Sequence, residues 1–208
     1  MSGSRPTTKR TAASRGLAVA AIASAALAIA STPAAATVDT SMCSNPLLTQ
    51  PFLAWGDHNW YALVPGQSPD SFAGTGWTLS GGATITTTNL YDGTTGPVLN
   101  LPSGSKAVSP VFCVTSSYPT ARMMVRDVKG SEGVFFYVSY EGTSTWNTPK
   151  NTGQVHGQNT AWTLATPVNL QPYNVSGWQP MRITLIPGGT TSDFQIYNLY
   201  DDPYSKGG

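Results

Sequence analysis

Arg122-Met123-Met124-Val125-Arg126, followed by Lys129-Gly130, Glu132-Gly133 and then Val134-Phe135-Phe136-Tyr137-Val138-Ser139-Tyr140, is the stretch that decides the fold. In the first piece charged residues alternate with Met123 and Val125, the period-2 pattern of a half-buried strand. The second piece is an unbroken apolar and aromatic run, which reads as a central strand covered on both faces. The two glycine pairs between them mark a turn, so the spacing predicts a hairpin.

The same grammar extends in both directions. Ala83-Thr84-Ile85-Thr86-Thr87-Thr88 is β-branched with one wet face. Asp92-Gly93, Thr95-Gly96 and Pro102-Ser103-Gly104-Ser105 are turn signals around a short strand from Val98 to Leu101. Ala107 to Val114 is a strand broken at Pro110, which suggests an edge or a bulge. Ala161 to Leu164, Arg182 to Ile186 and Phe194 to Tyr200 are the later strands. Thr143 to Gln158 reads as polar and turn-rich, and Asp201-Asp202-Pro203 reads as the end of the last strand. Turns recur roughly every ten residues, with no amphipathic helix and no repeat. The expected fold is all-β: one antiparallel β-sandwich of jelly-roll type, spanning 51–208 after an aperiodic leader over 37–50.

The first 36 residues read as a secretory signal peptide. Arg5, Lys9, Arg10 and Arg15 form a basic start without an acid, Gly16 to Ala30 is an apolar run, and Ala34-Ala35-Ala36 is a small-residue cleavage site. The expected location is extracellular, with no retained membrane anchor, because the run is shorter than the roughly 20 residues a spanning helix needs. The whole chain carries 11 basic and 10 acidic residues. The signal removes four bases and no acids, so the mature chain is net acidic, which argues against nucleic acid as partner. In an oxidising compartment Cys43 and Cys113 have one possible pairing. That bridge stabilises by roughly 4 kcal/mol on the loop-entropy model.

No motif for catalysis or metal binding stands out. A glycosidase needs two carboxylates about 5–10 Å apart. The mature chain has two glutamates, Glu132 and Glu141, at opposite ends of one strand and roughly 25 Å apart at 3.3 Å per residue. No Gly-x-Ser-x-Gly elbow is present, and His58 beside Asp57 is too sparse for zinc. The expectation is no enzyme activity and no cofactor; Asp70, Asp201 and Asp202 are the residues that could hold a structural calcium.

Aromatic residues in polar surroundings are the remaining signal. A sugar ring stacks its apolar C–H face on Trp or Tyr while amides and arginines hold its hydroxyls. Trp60, Tyr61, Tyr91, Trp146, Trp162 and Trp178 are candidates by exposure, and Trp77 and Trp162 alternate with strand residues as core positions do. Trp146 and Trp178 stand in the turn-rich stretches Ser144 to Asn147 and Asn174 to Gln179. The predicted ligand-binding set is Trp146, Trp178, Trp60 and Tyr61, with Arg122, Arg126 and Asn147 as polar partners. The rival reading is an envelope protein whose surface binds another protein.

Several motifs together carry a resemblance: Pro51-Phe52 with Trp55-Gly56-Asp57; Gly76-Trp77-Thr78-Leu79-Ser80-Gly81-Gly82-Ala83; Pro102-Ser103-Gly104-Ser105 through Ser109-Pro110 to Cys113-Val114; Pro119-Thr120-Ala121-Arg122; and Arg182-Ile183-Thr184 with Pro187-Gly188-Gly189. Over nearly all of the mature chain this resembles a family of secreted actinobacterial proteins, which in turn is similar to jelly-roll carbohydrate-binding modules and galactose-binding-like domains. The resemblance implies a non-catalytic module for extracellular polysaccharide or envelope glycan. It departs in the closing strand: Ile196-Tyr197-Asn198-Leu199 stands where those domains carry I-D-D-V, so two aspartates associated there with calcium are missing.

Overall fold

The computed structural model describes residues 37–67, 72–116, 120–171 and 177–202. The targeting segment 1–36 lies outside the described residues. Fourteen strands and one 3-10 turn (Leu53–Trp55) make up the regular structure among the described residues, and every strand pairing is antiparallel.

The first sheet is built on β14 (Asp193–Asp202). One edge of β14 pairs with β8 (Thr120–Lys129) along its length, and the other pairs first with β5 (Thr95–Pro102) and then with β2 (Tyr61–Leu63). Beyond these lie β4 (Thr84–Asn89) on β5, β1 (Leu48–Thr49) on β2, and β11 (Thr163–Leu164) and β12 (Val168–Asn169) on β8. The second sheet is built the same way on β13 (Gln179–Pro187). Strand β9 (Val134–Tyr140) takes one edge, while β6 (Lys106–Val108) and β7 (Phe112–Val114) share the other. Strands β10 (Lys150–Val155) and β3 (Thr78–Ser80) flank β9 and β6.

The core lies between the sheets, and alternation explains its membership. Met123 and Val125 of β8, Leu99 and Leu101 of β5, and Phe194, Ile196 and Leu199 of β14 face Val134, Phe136 and Val138 of β9 and Met181, Ile183 and Leu185 of β13. Strand β14 would lose this phase after Ile196, but a bulge at Asn198 restores it. Asn198 takes a left-handed backbone (φ 52°), the register shifts between Tyr197 and Tyr200, and Leu199 points inward again. The disulfide Cys43–Cys113, with Cα atoms 5.5 Å apart, ties the chain ahead of β1 to β7 of the opposite sheet.

Four expectations need correction. β8 and β9 are not a hairpin: Gly130 to Gly133 carry the chain from one sheet to the other, with φ near 82° and 81° at the two glycines. The two strands face each other through their side chains and find hydrogen-bond partners elsewhere. β9 is fully packed on its inner face only; on its outer side Phe135 and Tyr137 lie part-buried and Ser139 is buried. The first sheet begins within the stretch read as leader, at Leu48. The polar stretch after Thr143 contains an edge strand, β10. Its bulge between Asn151 and Gly153 masks the alternation: Gly153 has φ 147°, and its N–H donates to the Asn151 side chain at 2.9 Å.

Candidate functional site

The two sheets differ on their outer faces. Outside the first sheet lies a second apolar cluster of Phe52, Tyr61, Leu90, Val98, Met124, Tyr197 and Tyr200, with Leu63, Trp162 and Leu164 packed on it. Phe52 meets Tyr61 and Tyr200 edge-on, and Trp162 meets Tyr197 in the same way. Loops cover this face, and its polar groups are consumed internally. Arg122 pairs with Asp57 and donates from Nε to the Ala165 carbonyl at 2.9 Å. The Tyr61 hydroxyl also donates to Asp57, at 2.5 Å. Burial opposes ionisation of Asp57, but the hydrogen bonds from Tyr61 and the Asn59 N–H, together with the Arg122 charge, hold its carboxyl below the usual range. Burial, and next the bond to Asp57, push the Tyr61 hydroxyl up to about 12. Arg126 stacks its guanidinium 4.9 Å from the Trp162 ring centre and donates to Thr88 and Gln195.

The outer face of the second sheet is open. A groove of about 510 Å³ runs over it, lined by Lys106 and Val108 of β6, Tyr137 and Ser139 of β9, Arg182, Thr184 and Ile186 of β13, and Trp146, Asn147 and Pro149 from the β9–β10 connection. Register places these side chains in rows. Val108, Thr184 and Tyr137 stand directly opposite one another, Ser139 stands opposite Arg182, and Lys106 falls in the row of Ile186. The alternating residues of the same strands, Ala107, Ile183, Leu185 and Val138, point the other way into the core. The groove floor is therefore the far side of a packed sheet, which makes it rigid.

Trp146 stands over this floor because its loop is tied down. The Asn147 N–H donates to the Tyr140 carbonyl at 3.0 Å, and the Tyr140 N–H donates to the Asn147 side-chain oxygen at 2.7 Å. The Gly142 N–H donates to the Thr145 carbonyl at 2.8 Å. The Arg182 guanidinium lies 4.2 Å from the Trp146 ring centre, a close cation–π contact.

The structure divides the predicted set. Trp146 and Asn147 share the groove. Arg122 and Arg126 belong to the opposite sheet and are engaged there, so neither joins Trp146. Tyr61 is not an exposed platform; it is 1% exposed and anchors the second apolar cluster. Trp60 is half-exposed beside β2, away from the groove. Trp178 packs against the main core rather than standing in a solvent loop, and the stretch 172–176 before it lies outside the described residues. Trp77 is core, as its alternation implies; Trp162 is part-buried on the second cluster and donates to the Asn89 carbonyl. Lys106, Tyr137 and Arg182 were missed. The Arg182-Ile183-Thr184 alternation was a usable signal for Arg182, but the apolar run of β9 hid Tyr137.

Asp201 and Asp202 are the last two residues of β14, where the sequence puts the end of that strand, and both are buried. As consecutive strand residues they point to opposite faces, so they do not converge on one ion. Burial raises the Asp201 carboxyl well above its ordinary range. Asp70 lies outside the described residues. Among the described residues no three His, Cys, Asp or Glu side chains cluster to hold a metal.

An antiparallel sandwich of jelly-roll kind, with one outer face largely covered by an apolar cluster and the other grooved, is the class this chain defines. No family model matches it, and no curated protein matches it. Solved structures similar to it include carbohydrate-binding modules. The CBM22-1 xylan-binding domain of a Paenibacillus barcinonensis protein shares 12% identity, with 61% of this chain and 85% of that one covered and a TM-score of 0.42. A family 11 module of a Clostridium thermocellum cellulosomal cellulase gives 12%, 68%, 94% and 0.40, and a family 29 module gives 15%, 69%, 92% and 0.42. At these values none of them bears on which residues bind.

Proposed function

We propose that the protein is an exported, non-catalytic binding module and that the groove on its second sheet takes an extended glycan. The observation that carries this reading is Trp146, fixed over a groove floor of part-buried Thr184 and Tyr137 beside the buried Ser139. A stacking surface with hydroxyls beside it, on a scaffold that does not move, is what a sugar chain requires. Export is supported by the basic and apolar start of the sequence and by the single disulfide. A non-catalytic role is supported by the placement of Glu132 and Glu141 at opposite ends of β9 and by a groove lined without a carboxylate or a histidine.

The test is retention of the mature protein on insoluble cellulose, chitin, xylan and peptidoglycan sacculi. The expected result is retention on at least one, abolished in a Trp146→Ala variant that keeps the native circular dichroism. Retention unchanged in that variant sinks the assignment of the site.

One observation favours a protein partner as a second reading. A hollow of about 490 Å³ beside β2 is lined by Leu47, Leu63, Tyr91 and Tyr200, and Trp55 packs edge-on against Tyr91. Leu47, Trp55 and Tyr91 are all exposed. Loss of a partner on Tyr91→Ser, with glycan retention intact, would support that role for this face.

A further inference from the structure

The charges of the groove are one-sided. Two of its ten lining residues, Lys106 and Arg182, are cations and none is an acid. The mature chain has the opposite balance, seven bases against ten acids, so the cations on this face are not a sample of a basic surface. The other outer face shows the contrast: Arg122 is neutralised by Asp57, and Arg126 is hydrogen-bonded to Gln195 and Thr88. Among the described residues neither Lys106 nor Arg182 makes an ion pair. Glu141, the acid that follows the groove-lining residues of β9, stands one position beyond the end of β9, bridged to Trp146, and does not line the groove.

Position adds to charge. Arg182 is held against Trp146 by the cation–π contact, which leaves the edge of its planar fork free to donate. A fork of this kind matches a carboxylate or phosphate with two parallel hydrogen bonds, and a neutral hydroxyl uses only one of its donors. Lys106 lies in the row of Ile186, four residues along β13 from Arg182, which is roughly 13 Å at 3.3 Å per residue. Two cations at that spacing along one groove, with hydroxyls between them and a stacking ring at the Arg182 end, fit a linear polymer with a recurring negative charge better than they fit a neutral sugar.

We infer that the ligand of this groove is an acidic glycan bearing carboxylate or phosphate groups, with Arg182 and Lys106 each taking one anionic substituent. The inference rests on the groove being a glycan site. Pure Coulomb attraction would accept any polyanion; Trp146 and the hydroxyl floor are what select a saccharide.

The experiment is affinity electrophoresis of the mature protein in gels containing polygalacturonate, alginate or a polyol-phosphate wall polymer, each uronate polymer run beside its carboxyl-reduced neutral form, with poly-glutamate as a non-sugar polyanion. The expected result is retardation at least tenfold stronger in one acidic polymer than in its neutral form or in poly-glutamate, lost above about 0.5 M salt, where the Debye length falls below 5 Å. Arg182→Gln and Lys106→Gln should each cut it at least fivefold, with Lys129→Gln as the control that leaves it intact. Which polymer responds tells carboxylate from phosphate. Equal binding of charged and neutral polymers, both lost in Trp146→Ala, would overturn the acidic class while leaving the glycan site standing. Equal binding of poly-glutamate would make the groove a polyanion or acidic-protein site. No binding to any polymer would overturn this inference, and with no retention on insoluble glycans the glycan reading falls too.

Discussion

The outer face of the first sheet and the outer face of the second are built by the same alternation and end in opposite states. On the first, positions facing outward are large and apolar, Met124, Val98, Tyr197 and Tyr200, and the segment carrying Phe52 and Tyr61 covers them. On the second, Ser139, Thr184, Arg182 and Lys106 are interspersed with Val108, Tyr137 and Ile186, and only the Trp146 loop comes near. A sheet whose far side is apolar must be covered, because exposed apolar surface costs roughly 25 cal/mol per Å². A sheet whose far side interleaves polar with apolar side chains can stay partly open and be used. Both faces hold an arginine over a tryptophan, Arg126 on Trp162 and Arg182 on Trp146. In the first the pair closes a surface, and in the second it lines a groove.

Truncation should separate the faces most sharply. Phe52→Ala should cost about 3–5 kcal/mol of unfolding free energy, because a fully buried ring is lost from the covering layer. Trp146→Ala should cost under about 1 kcal/mol, as surface side chains do. Urea titrations of both variants give the comparison, and equal losses would erase the distinction drawn between the faces. Removing the disulfide with Cys43→Ser and Cys113→Ser should cost about 2–4 kcal/mol, chiefly by freeing a loop of 70 residues in the unfolded chain. The groove, carried by β9 and β13 rather than by the stapled segment, should keep its ligand at temperatures where this variant remains folded.

Acid sharpens the comparison through two carboxyls of opposite sign. Asp57 has a folded pKa below its ordinary 3.8, so its stabilisation is present above pH 3.8 and is lost as pH falls through the lowered value. Asp201 has a folded pKa raised above 3.8 by burial; its contribution is greatest below 3.8 and is lost as pH rises toward the raised value. Asp57→Asn should therefore destabilise at pH 7 by about 1–3 kcal/mol, the cost of leaving Arg122 without its charge partner. Asp201→Asn should stabilise at pH 7 and make no difference near pH 3. Thermal melts across that range test both, and a destabilised Asp201→Asn at pH 7 would show that the carboxylate has a partner. The smallest effect on stability is expected for Lys106→Gln, within about 0.5 kcal/mol, so its influence on ligand retention can be read without correction.

Much of the architecture was legible locally. Val98 to Leu101, Arg122 to Arg126, Arg182 to Ile186 and Phe194 to Tyr200 are strands because period-2 alternation and β-branched or aromatic side chains act residue by residue. Pro110 does separate two strands, β6 and β7, since it cannot donate to a ladder. The edge strand β10 was not legible, because its bulge at Gly153 breaks the period. Of the site, Trp146 and Asn147 were legible from their polar turn-rich setting. Arg122 and Arg126 were misplaced because alternation tells which residues share a strand face and not which of two sheets that strand joins.

The amino-acid sequence by itself determined that this is an all-β chain, that its two cysteines have one possible pairing, and which side chains along each strand share a face. These follow from backbone geometry and from chemistry between near neighbours. Only the tertiary structure decided that β8 and β9 lie in different sheets, that the Phe52 segment covers one outer face, and that Arg182, Lys106, Tyr137 and Trp146 meet on the other. Such pairings depend on how much apolar surface each alternative buries across the whole molecule, and that sum is not written in any local stretch.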